Sequence, residues 1–319
     1  MRDASDPRLF RSRIAQLIAL GGVIATAART GATAAPSDRS GITLRLRWLS
    51  SWSRLVKPLG TRLDLTSALV ALACGGGLNA PSAQTVSHEP PGATIISERP
   101  FTDFVEDGWT MQASPYLSLE EDRAAPKSPP TVIQMLFPAG FGAGSSPAVA
   151  ELALRSYPTT LYVSYWMKLS SNWFGQETGV NKVFHFWIGG RNRVYSLVRG
   201  AGNGPLHFEI DVQGVVAGGQ FDRGTTGNLA PNLGVPATVV RGLWYQYEMV
   251  FKANTAGRAD GSIEWWLNGV KVGSYRGIQF VPGDGSWEDM EWSPTWGGLG
   301  GSVPADQFMS IDHVYVSGR

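Results

Sequence analysis

In LHFEIDVQG (206–214) apolar and polar residues alternate without a break. Leu206, Phe208, Ile210 and Val212 fall on one side, and His207, Glu209, Asp211 and Gln213 on the other. Side chains of a β-strand point alternately to opposite faces, so this period of two predicts a strand with one packed face and one polar face. Strands of that kind belong to antiparallel sheets, which stack in pairs as sandwiches.

The same split recurs on either side. LYVSYWMKL (161–169) places Leu161, Val163, Tyr165, Met167 and Leu169 together, opposite Tyr162, Ser164, Trp166 and Lys168. KVFHFWI (182–188) sets Phe184, Phe186 and Ile188 against Val183, His185 and Trp187. WYQYEMVFK (244–252) sets Tyr245, Tyr247, Met249 and Phe251 against Trp244, Gln246, Glu248, Val250 and Lys252. SIEWWLN runs into Asn268-Gly269, the signature of a two-residue hairpin turn. MSIDHVYV (309–316) reads as a closing strand. Long helical periodicity is absent, and turn residues recur from residue 93 to 319. The prediction is an all-β chain: one large sandwich of two antiparallel sheets over 93–319.

Composition narrows the class of function. Among 319 residues 43% are hydrophobic, which is ample for a core, and only 17% are charged, with a formal net charge of +1. That balance argues against a nucleic-acid partner, which calls for a basic patch or excess. Twelve Trp and 39 Gly fit a β-rich protein with tight turns. The single cysteine, Cys74, rules out an intrachain disulfide and any zinc site of several thiolates. His88, His185, His207 and His313 form no HxH or HxxxH pair, so no metal cage is expected.

Residues 1–92 are a different material. Arg8, Arg11 and Arg13 precede the apolar run IAQLIALGGVIATAA (14–28), with small residues after it at GATAA, as in a secretory signal. Arg54, Lys57 and Arg62 precede LTSALVALAC (65–74), which resembles a bacterial lipoprotein signal ending in a lipidated Cys74. Ala71 stands where such signals usually carry Leu. GGGLNAPSAQ (75–84) reads as a tether. The alternative is a single signal peptide with an apolar tail and Cys74 as an incidental thiol. Neither run reaches the roughly 18–20 apolar residues of a spanning helix. The expectation is therefore export, with membrane attachment only through a lipid on Cys74; the two signals in tandem leave open which one is used and where the chain starts.

RGLWYQYEMVFKANTAGRADGSIEWWLNGVKVGSYRGIQF (241–280) resembles the concanavalin A-like jelly rolls. In that group a strand ends in a Lys-Ala-Asn-Thr-like turn and DG-x-[IL]-x-x-W-[LV]-[ND]-G follows, as in several polysaccharide lyases and laminin-G-like modules. LYVSYWMKLSSNW (161–173), GVNKVFHF (179–186) and MSIDHVYVS (309–317) are similar to the same group. The resemblance implies a jelly-roll sandwich and a polysaccharide partner. Its lyase members carry Arg, Gln or Asn, His and Tyr on one sheet. There a cation or amide neutralises a uronate carboxylate, a base removes the C5 proton, and the leaving oxygen is protonated. His185 matches the histidine of that set. Val183 stands where alginate-lyase-like members have Gln, and the strand with two Arg around Ser-Glu-Leu is absent. RNRVYSLVRG (191–200) puts Arg193, Tyr195 and Arg199 on one face as substitutes of the right types.

The resulting catalytic candidates are His185 and Tyr195 as base and acid, with Arg193 on the carboxylate. Trp187, Trp166, Tyr162, Lys168, His207, Glu209, Asp211 and Gln213 are the substrate-binding candidates, with Trp266 and Trp287 as further stacking surface. His185 and Trp187 equally suit a face packed beneath another layer. Glu209 and Asp211 match the start of the E-x-D-x-x-E glycosidase motif, but the third carboxylate is missing, so retaining hydrolysis lacks its proton donor. GDGSWEDMEW (283–292) reads as a solvated acidic loop, leaving structural Ca²⁺ open and no other cofactor expected. Three functions remain: a lyase acting on a uronic-acid polymer, a carbohydrate-binding module, and a structural surface protein.

Overall fold

The computed structural model describes residues 87–104, 108–218 and 227–319, with the side chains of Asn192 and Arg193 apart. Both export-like segments and Cys74 lie outside the described residues. In chain order the strands are β1 (Thr94–Arg99), β2 (Trp109–Met111), β3 (Leu117–Glu121), β4 (Thr131–Phe137), β5 (Ala150–Ala153), β6 (Thr160–Leu169), β7 (Val180–Ile188), β8 (Arg191–Arg199) and β9 (Leu206–Val212). They continue as β10 (Ala217–Gly218), β11 (Gly227–Leu229), β12 (Thr238–Val239), β13 (Trp244–Lys252), β14 (Gly261–Leu267), β15 (Val270–Gln279), β16 (Trp287–Trp296) and β17 (Gln307–Gly318). No helix occurs among the described residues.

Every pairing is antiparallel, and the strands form the two sheets of a jelly-roll sandwich. One runs β10-β15-β14-β13-β6-β17-β4-β3, with β1 on β17; the other runs β11-β9-β8-β7-β16-β5-β2, with β12 on β9. Neighbours in space are remote in sequence: β6 lies between β13 and β17, and β7 between β8 and β16.

The apolar sides face each other, as the alternation predicts. Tyr165, Tyr247 and Phe251 of the nine-stranded sheet meet Phe184, Phe186 and Phe208 of the eight-stranded one. The Tyr165–Phe184, Phe186–Phe251 and Phe208–Tyr247 ring centres are each 4.6 Å apart. Burying one such ring contributes about 2–3 kcal/mol, and truncating Phe208 to Ala would cost about 3–5 kcal/mol. The Tyr165 hydroxyl, deep between the sheets, is paired with Ser196 Oγ at 3.0 Å.

Local chemistry accounts for the motifs that carry the resemblance. Asn268 and Gly269 take φ of 49° and 75°, the left-handed pair that a two-residue hairpin requires, and join β14 to β15. Asn254 of the Lys-Ala-Asn-Thr turn brackets two chain segments. Its Oδ1 accepts from the N–H groups of Phe280 and Val281, and its Nδ2 donates to the carbonyls of Val281 and Gly283.

Two expectations change. The stretch 283–292 is largely strand and not a loop: Trp287, Met290 and Trp292 are fully buried, and this apolar content draws β16 between β5 and β7. Trp287 is consequently a core residue, edge-on to Phe280, and offers no stacking surface. Residues 87–89, expected in the linker, pack on the outward face of the nine-stranded sheet. His88 stacks on Trp266 (centroids 4.5 Å, 13° between planes), and Tyr315 donates to Glu89 at 2.8 Å.

Candidate functional site

The outward face of the eight-stranded sheet collects most of the polar candidates because β7, β8 and β9 are adjacent and in register. His185, Tyr195 and Asp211 form one cross-strand row. Lys182 belongs to the same face only because the ladder is interrupted. From Lys182 to His185 three steps of β7 span two steps of β8, Leu197 to Tyr195. This β-bulge turns Lys182 onto the side of His185. Phe184, left without a partner in the β8 ladder, donates its N–H to Ser196 Oγ at 3.2 Å. A second shift sets Phe186 and Trp187 opposite Val194 and Asn192. Arg193 is the extra residue there, and its side chain lies outside the described residues.

Lys182 Nζ stands 4.4 Å from the centre of the Tyr195 ring, and the His185 and Tyr195 rings are 5.8 Å apart. Among the described residues Lys182 has no ion-pair partner. Arg199 is fully engaged: Nε donates to Glu209 at 2.9 Å and Nη2 to both oxygens of Asp211 at 3.1 and 3.3 Å. The other Glu209 oxygen meets His207 Nε2 at 2.7 Å. Asp211 is in turn the direct cross-strand partner of Tyr195. Glu209 and Asp211 are only 5% and 6% exposed, so the polar side of this strand is closed over by its own network.

These surroundings push the ionisable groups apart. Burial, and then the Lys182 charge, lowers His185 to about 3, which leaves its ring neutral. Burial raises Tyr195, reinforced by the charge and hydrogen bond of Asp211, so the phenol keeps its proton. Burial lowers Lys182 against the opposing pull of Asp211. Burial raises Asp211 to about 6, although Arg199 pulls it down. A neutral ring able to accept a proton thus lies beside a phenol able to donate one, next to a cation. The same network disposes of the glycosidase reading, because Arg199 clamps both carboxylates that such a reaction would need.

The remaining candidates divide. Trp187 is half-buried on the same face, opposite Asp289 of β16. His207 is at its margin, and Gln213 is exposed beyond the end of β9. Tyr162, Trp166 and Lys168 do not join this site. They lie on β6, whose neighbours β13 and β17 put it in the other sheet, and they face outward on the opposite side of the sandwich. There Tyr162 donates to Glu248 at 2.7 Å, and Lys168 is paired with Asp122 and sits over Trp244 at 5.0 Å. Trp266 is covered by His88. Lys182 escaped the sequence reading, since strict alternation puts it with Phe184; the only hint was its place in the same run as His185. Among the described residues no group of three or more His, Cys, Asp or Glu could hold a metal ion.

No family model matches the chain, and neither does any curated protein. Solved structures similar to it include a mutant of the alginate lyase Aly36B in complex with alginate tetrasaccharide, at 16% identity over 59% of this chain and 81% of that one, with a TM-score of 0.49. The endo-β-1,4-glucuronan lyase of the fungus Trichoderma reesei is 15% identical over 71% and 96%, with a TM-score of 0.48. The alginate lyase of Aplysia kurodai is 13% identical over 63% and 86%, with a TM-score of 0.47.

Proposed function

We propose that the chain is an exported polysaccharide lyase that cleaves a uronic-acid-containing glycan by β-elimination on the outward face of the eight-stranded sheet. One observation carries this reading: His185, held neutral, and Tyr195, held protonated, lie side by side next to Lys182, which forms no ion pair among the described residues. Lys182 pairs with the uronate carboxylate and stabilises the charge that develops when C5 loses its proton. A His185 ring nitrogen takes that proton. The electron pair forms the C4–C5 double bond, the C4–O bond breaks, and the Tyr195 hydroxyl protonates the departing oxygen. The imidazolium then returns its proton, through solvent, to the phenolate. Substrate binding favours the first step, because a carboxylate beside Lys182 offsets one of the two causes that depress the basicity of His185. Trp187 supplies a stacking surface for a neighbouring sugar ring.

The product is an unsaturated uronate that absorbs in the ultraviolet. The test is a screen of uronate polymers at mildly acidic and neutral pH, with Lys182→Ala alongside. Release of the chromophore by the wild type and its loss in the variant support the reading. Binding of a polymer without chromophore, weakened by Trp187→Ala, would instead make the sheet a carbohydrate-binding surface.

A further inference from the structure

We infer that Ser196 is a positioning residue: from the core side of β8 it holds the β7 bulge that keeps Lys182 over Tyr195. Its effect on turnover rests on the lyase reading, whereas its effect on the place of Lys182 does not. Ser196 is the one polar residue of the stripe Val194, Ser196 and Val198, which β8 turns inward, and all three are fully buried. A hydroxyl in such a place is costly unless it finds partners. Ser196 has two. Phe184 of β7 donates its N–H to Ser196 Oγ at 3.2 Å, and the Tyr165 hydroxyl, from β6 of the opposite sheet, lies 3.0 Å from the same oxygen. A hydroxyl carries one proton and two lone pairs, so it serves both at once.

Ser196 is also the residue that β8 sets opposite the bulge. The ladder pairs Lys182 with Leu197 and His185 with Tyr195, which leaves Val183 and Phe184 to face Ser196 alone. Phe184 is fully buried, so water cannot satisfy an N–H that the extra residue removes from the ladder. The Ser196 oxygen satisfies it instead, and the Tyr165 hydroxyl holds that oxygen from the other side. The competing arrangement is an unbroken ladder. Continued without the extra residue from His185 opposite Tyr195, it would set Phe184 opposite Ser196, Val183 opposite Leu197 and Lys182 opposite Val198. One step of register moves a side chain to the other face. Val183 would then stand on the outward face, and Lys182 would point into the core. The bulge thus decides whether the face of His185 carries a cation or an apolar side chain, and the bond from Ser196 stabilises the bulged form.

The test is the place of Lys182 in Ser196→Ala, read by lysine-labelled NMR of the full chain, together with turnover. Lys182 Nζ lies 4.4 Å from the centre of the Tyr195 ring, so the ring current shields the methylene protons beside it. Lys182→Ala identifies that signal by its absence. In Ser196→Ala the signal is expected to move towards the position of a solvated lysine. Turnover is expected to fall about 100-fold, as for a reacting group misplaced by about 1 Å. Tyr165→Phe takes a buried hydroxyl from the same oxygen but leaves the bond to Phe184. It is expected to lose stability while keeping the shielded signal and most of the turnover. A merely structural role makes the two variants alike; that outcome, or an unmoved lysine signal in Ser196→Ala, overturns the proposal. Should Ser196→Ala fail to fold, Ser196→Cys is similar in size and only a weak acceptor. There, loss of the shielded signal supports the proposal and its retention overturns it. Failure of the lyase reading is recognised separately, as no chromophore from the wild type while the lysine signal still moves in Ser196→Ala.

Discussion

Each outward face of the sandwich sets a tyrosine beside a buried carboxylate, and the chain treats the two pairs differently. On the nine-stranded sheet Tyr162 donates to Glu248, and residues 87–89 then close over them. The His88 backbone N–H and ring Nδ1 both reach Glu248 at 3.2 Å, and the ring covers Trp266. On the eight-stranded sheet Tyr195 and Asp211 are cross-strand partners, and the neighbouring Lys182 forms no ion pair among the described residues. A phenol–carboxylate pair is thus a common product of cross-strand rows. On the proposed reading the cation equips the second pair for chemistry, whereas residues 87–89 cover the first.

The sharpest way to break this contrast is to remove the same hydroxyl from both faces. Tyr195→Phe is expected to lower turnover about 100-fold or more, the usual worth of a positioned proton donor. Tyr162→Phe is expected to leave turnover within about twofold, as measured by release of the unsaturated product. Equal losses would erase the distinction between the faces. Next in size, Glu248→Ala should destabilise the fold by about 2 kcal/mol in urea denaturation, because it strands the Tyr162 hydroxyl and the His88 N–H.

A smaller effect, within the eight-stranded face, depends on pH. Asp211, at about 6 in the folded chain against 3.8 as the ordinary value, keeps its proton after the unfolded chain has lost it. Its contribution to stability is complete below about pH 4 and is lost as pH rises towards 6. His185, lowered from 6.5 to about 3, acts in the opposite sense: its contribution is complete above 6.5 and is lost as pH falls towards 3. Between about pH 4 and 6 the two slopes, each at most about 1.4 kcal/mol per pH unit, nearly cancel. Denaturation midpoints of His185→Gln should therefore fall as pH rises through that window, and those of Asp211→Asn should rise. Smallest of all, His88→Ala should cost about 1 kcal/mol of stability through lost stacking and leave turnover unchanged. A large loss of turnover would mean that the covered face takes part in the reaction.

Alternation made the sandwich legible, since Phe208, Tyr165 and Phe251 reach the core by the same rule that turns Asp211, Tyr162 and Val250 away from it. Asn268-Gly269 and the Lys-Ala-Asn-Thr turn were legible because each carries a backbone or hydrogen-bonding requirement that few residue types meet. The site was only partly legible. Periodicity says which side of its own strand a residue takes, but not which sheet the strand joins, so it cannot separate Tyr162, Trp166 and Lys168 from residues on the opposite face. Bulges defeat the period itself. One extra residue brings Lys182 to His185, and another makes Arg193 the odd residue of β8. Nor does alternation reveal closure: Glu209 and Asp211 point outward yet are buried, because Arg199 and His207 fold over them.

Ser87, His88 and Glu89 are the first described residues, and all three are fastened to β6, β13, β14 and β17 on the nine-stranded side. Residue 87 thus meets the sandwich on the nine-stranded side, across both sheets from the face that carries Lys182 and Tyr195.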